Sequence, residues 1–387
     1  MKYKAFLIVL LAFIILFSAS WLFWLLRSEK ELNIYVLDKT VPTTKRTEHA
    51  SFFWLLNHYK YVKNNGESYD INEDYMGFYP LEDSKQQKFD FKSIRIDEIE
   101  SAANSYDLAY YTDTYGVYYN EWYRRDNQDV MGTEMVYGGL NQNDYLLVKS
   151  MKERGKLILA EFNFFNAPTN ALIREKLEDM LAINWSGWTG CYWKDLDPES
   201  GDIPAWIVKL YKEQNQNKWP FQGDGIVLVH KFGTILVLEG DAHLNNDYMQ
   251  LEATAEMKKR FGVQRQMNFY KWFDITYSGN RNTVLANFKL DVNEKGDSLL
   301  QANNLRAVFP AVSEYRSNYW FYYFAGDFAE NKVSTNLSRF AGVDKLKFIS
   351  SLFDHQKRFF WYFYMPMMKK ILADYRVVAD TEFAQEE

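Results

Sequence analysis

The chain has 387 residues, 47% of them hydrophobic and 25% charged, enough for one large domain or two ordinary ones and too apolar for a disordered tail. A net charge of −6 argues against a nucleic-acid binder, which carries a basic footprint. The single cysteine, Cys191, excludes an intrachain disulfide framework and a multi-cysteine zinc site, and the composition is unusual in its aromatic content of 18%.

Met1-Lys2-Tyr3-Lys4 is a short basic lead, and Ala5 to Leu26 then run for 22 positions without a charge. As a helix this run spans about 33 Å, enough for a hydrocarbon core of roughly 30 Å. Trp21 and Trp24 lie near its far end, where indole rings favour the interface, and Arg27, Glu29, Lys30 and Glu31 end it. The reading is a single-pass anchor that meets lipid through residues 5–26, with the N-terminus inside and the main domain extracytoplasmic. The rival is a cleaved signal peptide, because Ser18-Ala19-Ser20 is a small-residue cleavage site. Cleavage after Ser20 would leave Trp21 to Leu26 bare on the mature end.

Beyond the anchor, residues 32–38, 106–113 and 156–163 read as strands that end in polar residues. Helices are expected over 49–62, 141–154 and 168–183, with Gly155 stopping the second and Pro168 near the first turn of the third. Residues 64–92 are aromatic and polar without a clear period. This spacing of strands and helices implies right-handed crossovers and a mainly parallel sheet flanked by helices. Later, 225–230 and 234–239 flank Lys231-Phe232-Gly233 as a hairpin, and 266–278, 283–291 and 305–313 are β-like. The expected organisation is an anchor over 1–31, an α/β domain over 32–245, and a β-rich extension over 246–387 that ends in an aromatic and helical segment.

In open parallel sheets, ligands bind beyond the carboxyl ends of the strands. The predicted strands deliver Asp38, then Asp113 and Tyr115, then Glu161 and Asn163 there, and Glu239-Gly240-Asp241 repeats the pattern. Glu161 follows an apolar run and precedes Phe162, so burial would raise its pKa. Asp113 and Glu161 are the candidate acid and base of a glycan-active hydrolase. The plainer alternative is that such acids cap helices or accept bonds from loop amides. Asp241 and His243 alone make no metal site, and neither a metal nor a cofactor is expected.

The strand order and the loop after Leu159 resemble the class I glutamine amidotransferase-like fold, including its ThuA-like relatives, over roughly residues 32–245. That resemblance implies a nucleophilic cysteine in a G-x-C-x-G turn, with His and Glu later. Here the corresponding turn is Ala160-Glu161-Phe162-Asn163, and near the expected His-x-Glu stands His243-Leu244-Asn245. The fold therefore carries over without the catalytic set, and Cys191, flanked by aromatics, reads as a packed thiol.

The rings have two readings. Trp185 and Trp188 lie among small residues in what reads as a loop able to stack on a sugar, with Asp327 within a second aromatic run at 319–328; otherwise the rings fill the core. Residues 359–368, flanked by Lys357-Arg358 and Lys369-Lys370, either lie in the headgroup region or pack on the domain. The sequence thus points to a membrane-anchored envelope protein that binds a saccharide or assists polysaccharide synthesis or export. The alternatives are the hydrolase and a structural partner of a membrane complex.

Overall fold

A computed structural model describes residues 2–81, 88–123, 134–346 and 355–386. The N-terminal helix α1 covers Lys2–Leu25. The body then runs through β1 (Ile34–Asp38), α2 (Ala50–His58), β2 (Met76–Pro80), β3 (Phe89–Lys92), β4 (Leu108–Asp113), α3 (Gln142–Glu153), β5 (Leu157–Ala160) and α4 (Ala171–Leu181). Next come β6 (Ile183–Trp193), β7 (Gly225–His230), β8 (Ile235–Glu239), β9 (Met249–Ala253), β10 (Gln266–Phe269) and β11 (Phe273–Ser278). The last elements used here are β12 (Thr283–Lys289), β13 (Val308–Arg316), β14 (Trp320–Phe324) and the C-terminal helix α5 (Met365–Glu386).

Ten strands form one sheet in the order β10-β9-β12-β13-β14-β5-β4-β1-β2-β3. The pairings β14–β5, β5–β4, β4–β1 and β1–β2 are parallel; the other five are antiparallel. The sheet is therefore mixed, which corrects the expectation of a mainly parallel, flavodoxin-like one. The C-terminal strands do not form a separate extension. β14 docks parallel to β5, β13 pairs with it as a hairpin and β12 continues beyond β13, so the antiparallel strands become half of the same sheet. Strands from residues 32–245 and from 246–387 share this sheet, and one apolar core runs through both. A second, antiparallel sheet has the order β8-β7-β6-β11.

The alternation of side chains across a strand separates two faces. Tyr110 points to one face, where its ring meets Phe52 of α2 and its hydroxyl lies 3.1 Å from that of Tyr364. Tyr111 points to the other, against Tyr35 and Phe164. Tyr323, in register with Ala160 of β5, reaches Asp274 of β11 from this second face, so the four-stranded sheet covers it. Helix α2 is apolar almost all round, Phe-Phe-Trp-Leu-Leu, because it is buried between the sheet and the C-terminal segment.

Local signals account for several elements. Asn141 caps α3, accepting from the backbone of Asn143 and Asp144 while the Asp144 side chain accepts from Asn141 N. Asn170, not Pro168, caps α4. Helix Glu294–Ala302 starts at Asn293 inside what the sequence presented as a turn. Gly77 has φ +125°, and a Cβ there would lie 1.6 Å from Asp38 O, so only glycine lets β2 approach the end of β1.

Of two aromatic segments, one differs from expectation and one takes the core-packing alternative. Residues 183–193 form the long strand β6, not a loop, and Trp185 and Trp188 are buried in it. Their glycine neighbours have a packing reason: Gly190 lies under Phe273 and Leu228. Residues 359–368 pack inward. Phe360–Tyr364 form a π-helical turn leading into α5, and Phe360, Phe363, Tyr364, Met367 and Met368 have no exposed surface.

Helix α1 is the one helix among the described residues long and apolar enough to cross a membrane; by composition it also passes for a signal sequence. Its far end is mounted on the body. Trp24 is buried and donates from Nε1 to Asn57 O, and Arg27 donates to His58 O. Ser20 Oγ donates to Ala341 O at 2.7 Å, and Ala341 N donates to Ser20 O at 3.1 Å.

Candidate functional site at the strand ends

The carboxyl ends of β1, β4, β5 and β14 deliver Asp38, Asp113, Glu161 and Asp327, as the switch-point rule expects. They fall into two groups on opposite faces of the sheet.

On the Tyr110 face, Asp38 Oδ2 lies 2.6 Å from His49 Nδ1, with neither side chain exposed. His49 Nε2 donates to Ile71 O at 3.3 Å, so Nδ1 is the ring's acceptor. Burial pushes Asp38 well above the usual carboxylate range and His49 down to about 3. Burial thus disfavours the charged form of both partners. Glu161 lies on the same face. Its Oε1 meets the Tyr110 hydroxyl, and its Oε2 accepts from Phe328 N and Ala329 N, both at 2.9 Å. Burial raises its pKa to about 8. Asp327, just before those amides, is also raised well above its usual range by burial, and its carbonyl accepts from Lys271. A cavity of about 200 Å³ opens beside this corner, lined in part by Asn268, Tyr270, Lys271, Glu330 and Phe359.

On the Tyr111 face, Asp113 Oδ1 accepts from Thr40 Oγ1 at 2.7 Å, Tyr115 N at 2.8 Å and Asn163 Nδ2 at 3.1 Å. Burial, then the nearby Asp38, raises Asp113 to about 7, yet its side chain stays partly open to solvent. Tyr115 beside it is exposed, its ring tilted about 40° against that of Tyr118 with centroids 4.9 Å apart. Asn163, at φ +69°, links Asp113 to the second sheet: its backbone N donates to Asp274 Oδ2. Asp274, raised by burial to about 7, also accepts from Thr189, Asn166 and Tyr323.

The proposed acid–base pair is therefore not assembled. Glu161 follows β5 on the Tyr110 face, while Asp113, two residues after Tyr111, shares the Tyr111 face and bonds Asn163. Glu161 is wholly buried, and both of its oxygens hold hydrogen bonds. Two-carboxylate hydrolysis needs both groups in one cleft. Here Glu161 ties the turn after β14 to β4 and to the C-terminal segment, and Asp274 ties the two sheets together.

The other sequence candidates are dispersed. Trp185 donates from Nε1 to Trp188 O, and its ring lies between Arg174 and Lys231. Trp188 packs on His230. Asp241 is exposed in a short turn after β8, away from the four strand ends; His243 Nδ1 in that turn accepts from Glu239 N. Cys191 is buried, its thiol pushed up by burial. Among the described residues no cluster of His, Cys, Asp and Glu forms a metal site. The sequence reading missed His49, Thr40, Asp274 and Lys271. Asp274 carried the same signal as Glu161, an acid set between apolar residues.

No family model matches the chain, and no curated protein matches it in sequence. Two crystal structures are similar in fold, both of ThuA-like proteins and both at 10% identity. One, from Parabacteroides merdae, aligns over 76% of this chain and 79% of its own with a TM-score of 0.35. The other, from Bacteroides uniformis, aligns over 83% and 91% with a TM-score of 0.36.

Proposed function

We propose that this chain is a membrane-anchored binding protein whose N-terminal helix stays on the mature molecule and whose body lies outside the cytoplasm. The observation that supports retention is the mounting of α1: Trp24, Arg27 and Ser20 each bond to the body. Removal of the segment before Trp21 would strip Ser20 from Ala341 and leave that carbonyl without its donor. The short basic lead, with Lys2 and Lys4, favours an N-terminus inside.

The ligand we propose is a saccharide, held at the outer edge of the Tyr111 face. Asp113 and Tyr115 offer a carboxylate and a ring face side by side, the pairing that suits a sugar's hydroxyls and its C–H face. All three bonds to Asp113 fall on Oδ1, and no described residue bonds Oδ2. The ligand role once expected of Trp185 and Trp188 is dropped because both are buried.

The test is a glycan-array screen on the full chain in detergent, followed by titration with the best glycan. Asp113→Asn and Tyr115→Ala are each expected to weaken binding about tenfold, the equivalent of one lost charged hydrogen bond or ring contact. Unchanged affinity in both variants, or an array without a binder, overturns the saccharide assignment. Mass spectrometry of the mature chain tests retention separately, because a chain beginning at Trp21 overturns it.

A further inference from the structure

The segment from Thr335 to Leu346 meets α1 below the end of its apolar run. Phe340 packs on Phe17 with ring centroids 4.4 Å apart, and Ala341 exchanges two hydrogen bonds with Ser20. Their height on the helix follows from its geometry. The uncharged run ends at Leu26, six residues beyond Ser20, or about 9 Å at 1.5 Å per residue. A hydrocarbon core of roughly 30 Å takes about 20 residues. Counted from Ala5, that places its upper boundary at Trp24, and Ser20 is still about 6 Å inside. Whichever end sets the level, the partners of Phe17 and Ser20 lie at acyl-chain depth.

The composition of the segment fits that depth. Leu337 and Leu346 are 41% and 54% exposed. Arg339 and Lys345 are exposed within the same stretch, where lipid phosphates would meet them. A groove of about 430 Å³ between α1 and Phe340 is lined by Phe13, Ile14, Phe17, Ser18 and Trp21, a surface for a hydrocarbon chain. The segment is also fixed from behind. Buried His58 lies 2.9 Å from Ser338 O through Nδ1 and 3.7 Å from Asp344 through Nε2. It is therefore presented at a set height and is not a loose loop.

We propose that Thr335–Leu346 is a second membrane contact, an interfacial wedge that enters the outer part of the leaflet beside α1 and seats an acyl chain in the groove between them. The inference rests on reading α1 as a retained membrane span. It moves the interfacial role from residues 359–368, which are buried, to a stretch that hydropathy alone does not mark. The wedge fixes both the depth and the tilt of the body against the bilayer.

Spin labels test it in the full chain, reconstituted in vesicles of equal parts phosphatidylcholine and phosphatidylglycerol. Single cysteines replace Leu337, Leu346, Val9 or Phe232; the unsubstituted chain, with Cys191 buried, is the blank. Val9 is the reference within α1, and Phe232, 81% exposed on the β7–β8 turn, is the aqueous reference. Labels at 337 and 346 are expected to collide with oxygen in preference to a nickel chelate, with a ratio several-fold above that at 232. A ratio at 337 and 346 equal to that at 232, with 9 reading lipid, overturns the wedge and leaves the anchor standing. An aqueous reading at 9 removes the anchor and the wedge together. Spin–spin broadening at 337 that vanishes on dilution into excess lipid places a second copy in the groove and overturns the lipid occupant.

Discussion

Burial, more than any neighbouring charge, sets the protonation of the acids at the strand ends. Glu161 is the clearest case. Its folded-state pKa of about 8 lies above the ordinary glutamate value of about 4.3. Between those values the folded chain holds a proton that the unfolded chain has released. This contribution to stability is whole below about pH 4.3 and is lost as pH rises through about 8. Glu161→Gln keeps an acceptor for Phe328 N and Ala329 N and never ionises. Its melting temperature is therefore expected to fall less between pH 5 and pH 8 than that of the parent, in parallel thermal scans. An equal fall in both would place the titrating proton elsewhere. Glu161 was legible in the sequence because an acid amid Leu-Ile-Leu-Ala and Phe has no route to water. That Asp113 would not face it was less legible, because setting Ala160 beside Tyr111 is a matter of pairing register and not of local pattern.

Among the elements, the segment around Phe360 is the one whose sequence left two readings open. Ten apolar or aromatic residues between basic pairs look alike whether they face lipid or a core. The decision comes from α2, whose own apolar surface needs a cover: Trp54 packs edge-on against both Phe360 and Trp361. Phe360→Ala is expected to destabilise the body by about 3–5 kcal/mol, as truncation of a buried aromatic does. Phe232→Ala, at an exposed turn, should stay within about 0.5 kcal/mol, so denaturant titration of the two variants separates core from surface. A small effect at 360 would return the segment to the membrane. The same limit explains the missed strands β2 and β3. Met-Gly-Phe-Tyr-Pro is short and carries two residues that strands avoid, so pairing with β1 and close backbone approach at Gly77 make it a strand, not propensity.

At the scale of the molecule, the order of strands was hidden because pairing is a long-range property. Residues 225–239 were legible as a hairpin, since both strands and their turn are local. The docking of β14 on β5 joins residues about 160 positions apart, and nothing near either strand encodes it. It makes a sharp prediction. A fragment of residues 27–245 lacks β14 and leaves the apolar edge of β5 unpaired, so it is expected to aggregate and to show no cooperative unfolding by circular dichroism. A fragment that melts cooperatively would restore residues 32–245 as an independent domain. The N-terminal apolar helix, by contrast, was readable from 22 consecutive residues, because spanning length and hydropathy are local properties.

The late arrival of β14 also constrains biosynthesis. A ribosome adding roughly 5–20 residues per second needs on the order of ten seconds or more to pass from β5 to β14. Throughout that interval the middle of the main sheet lacks a neighbour. A holding chaperone, or a slow-moving ribosome late in the message, would decide how much of this protein matures and how much is degraded.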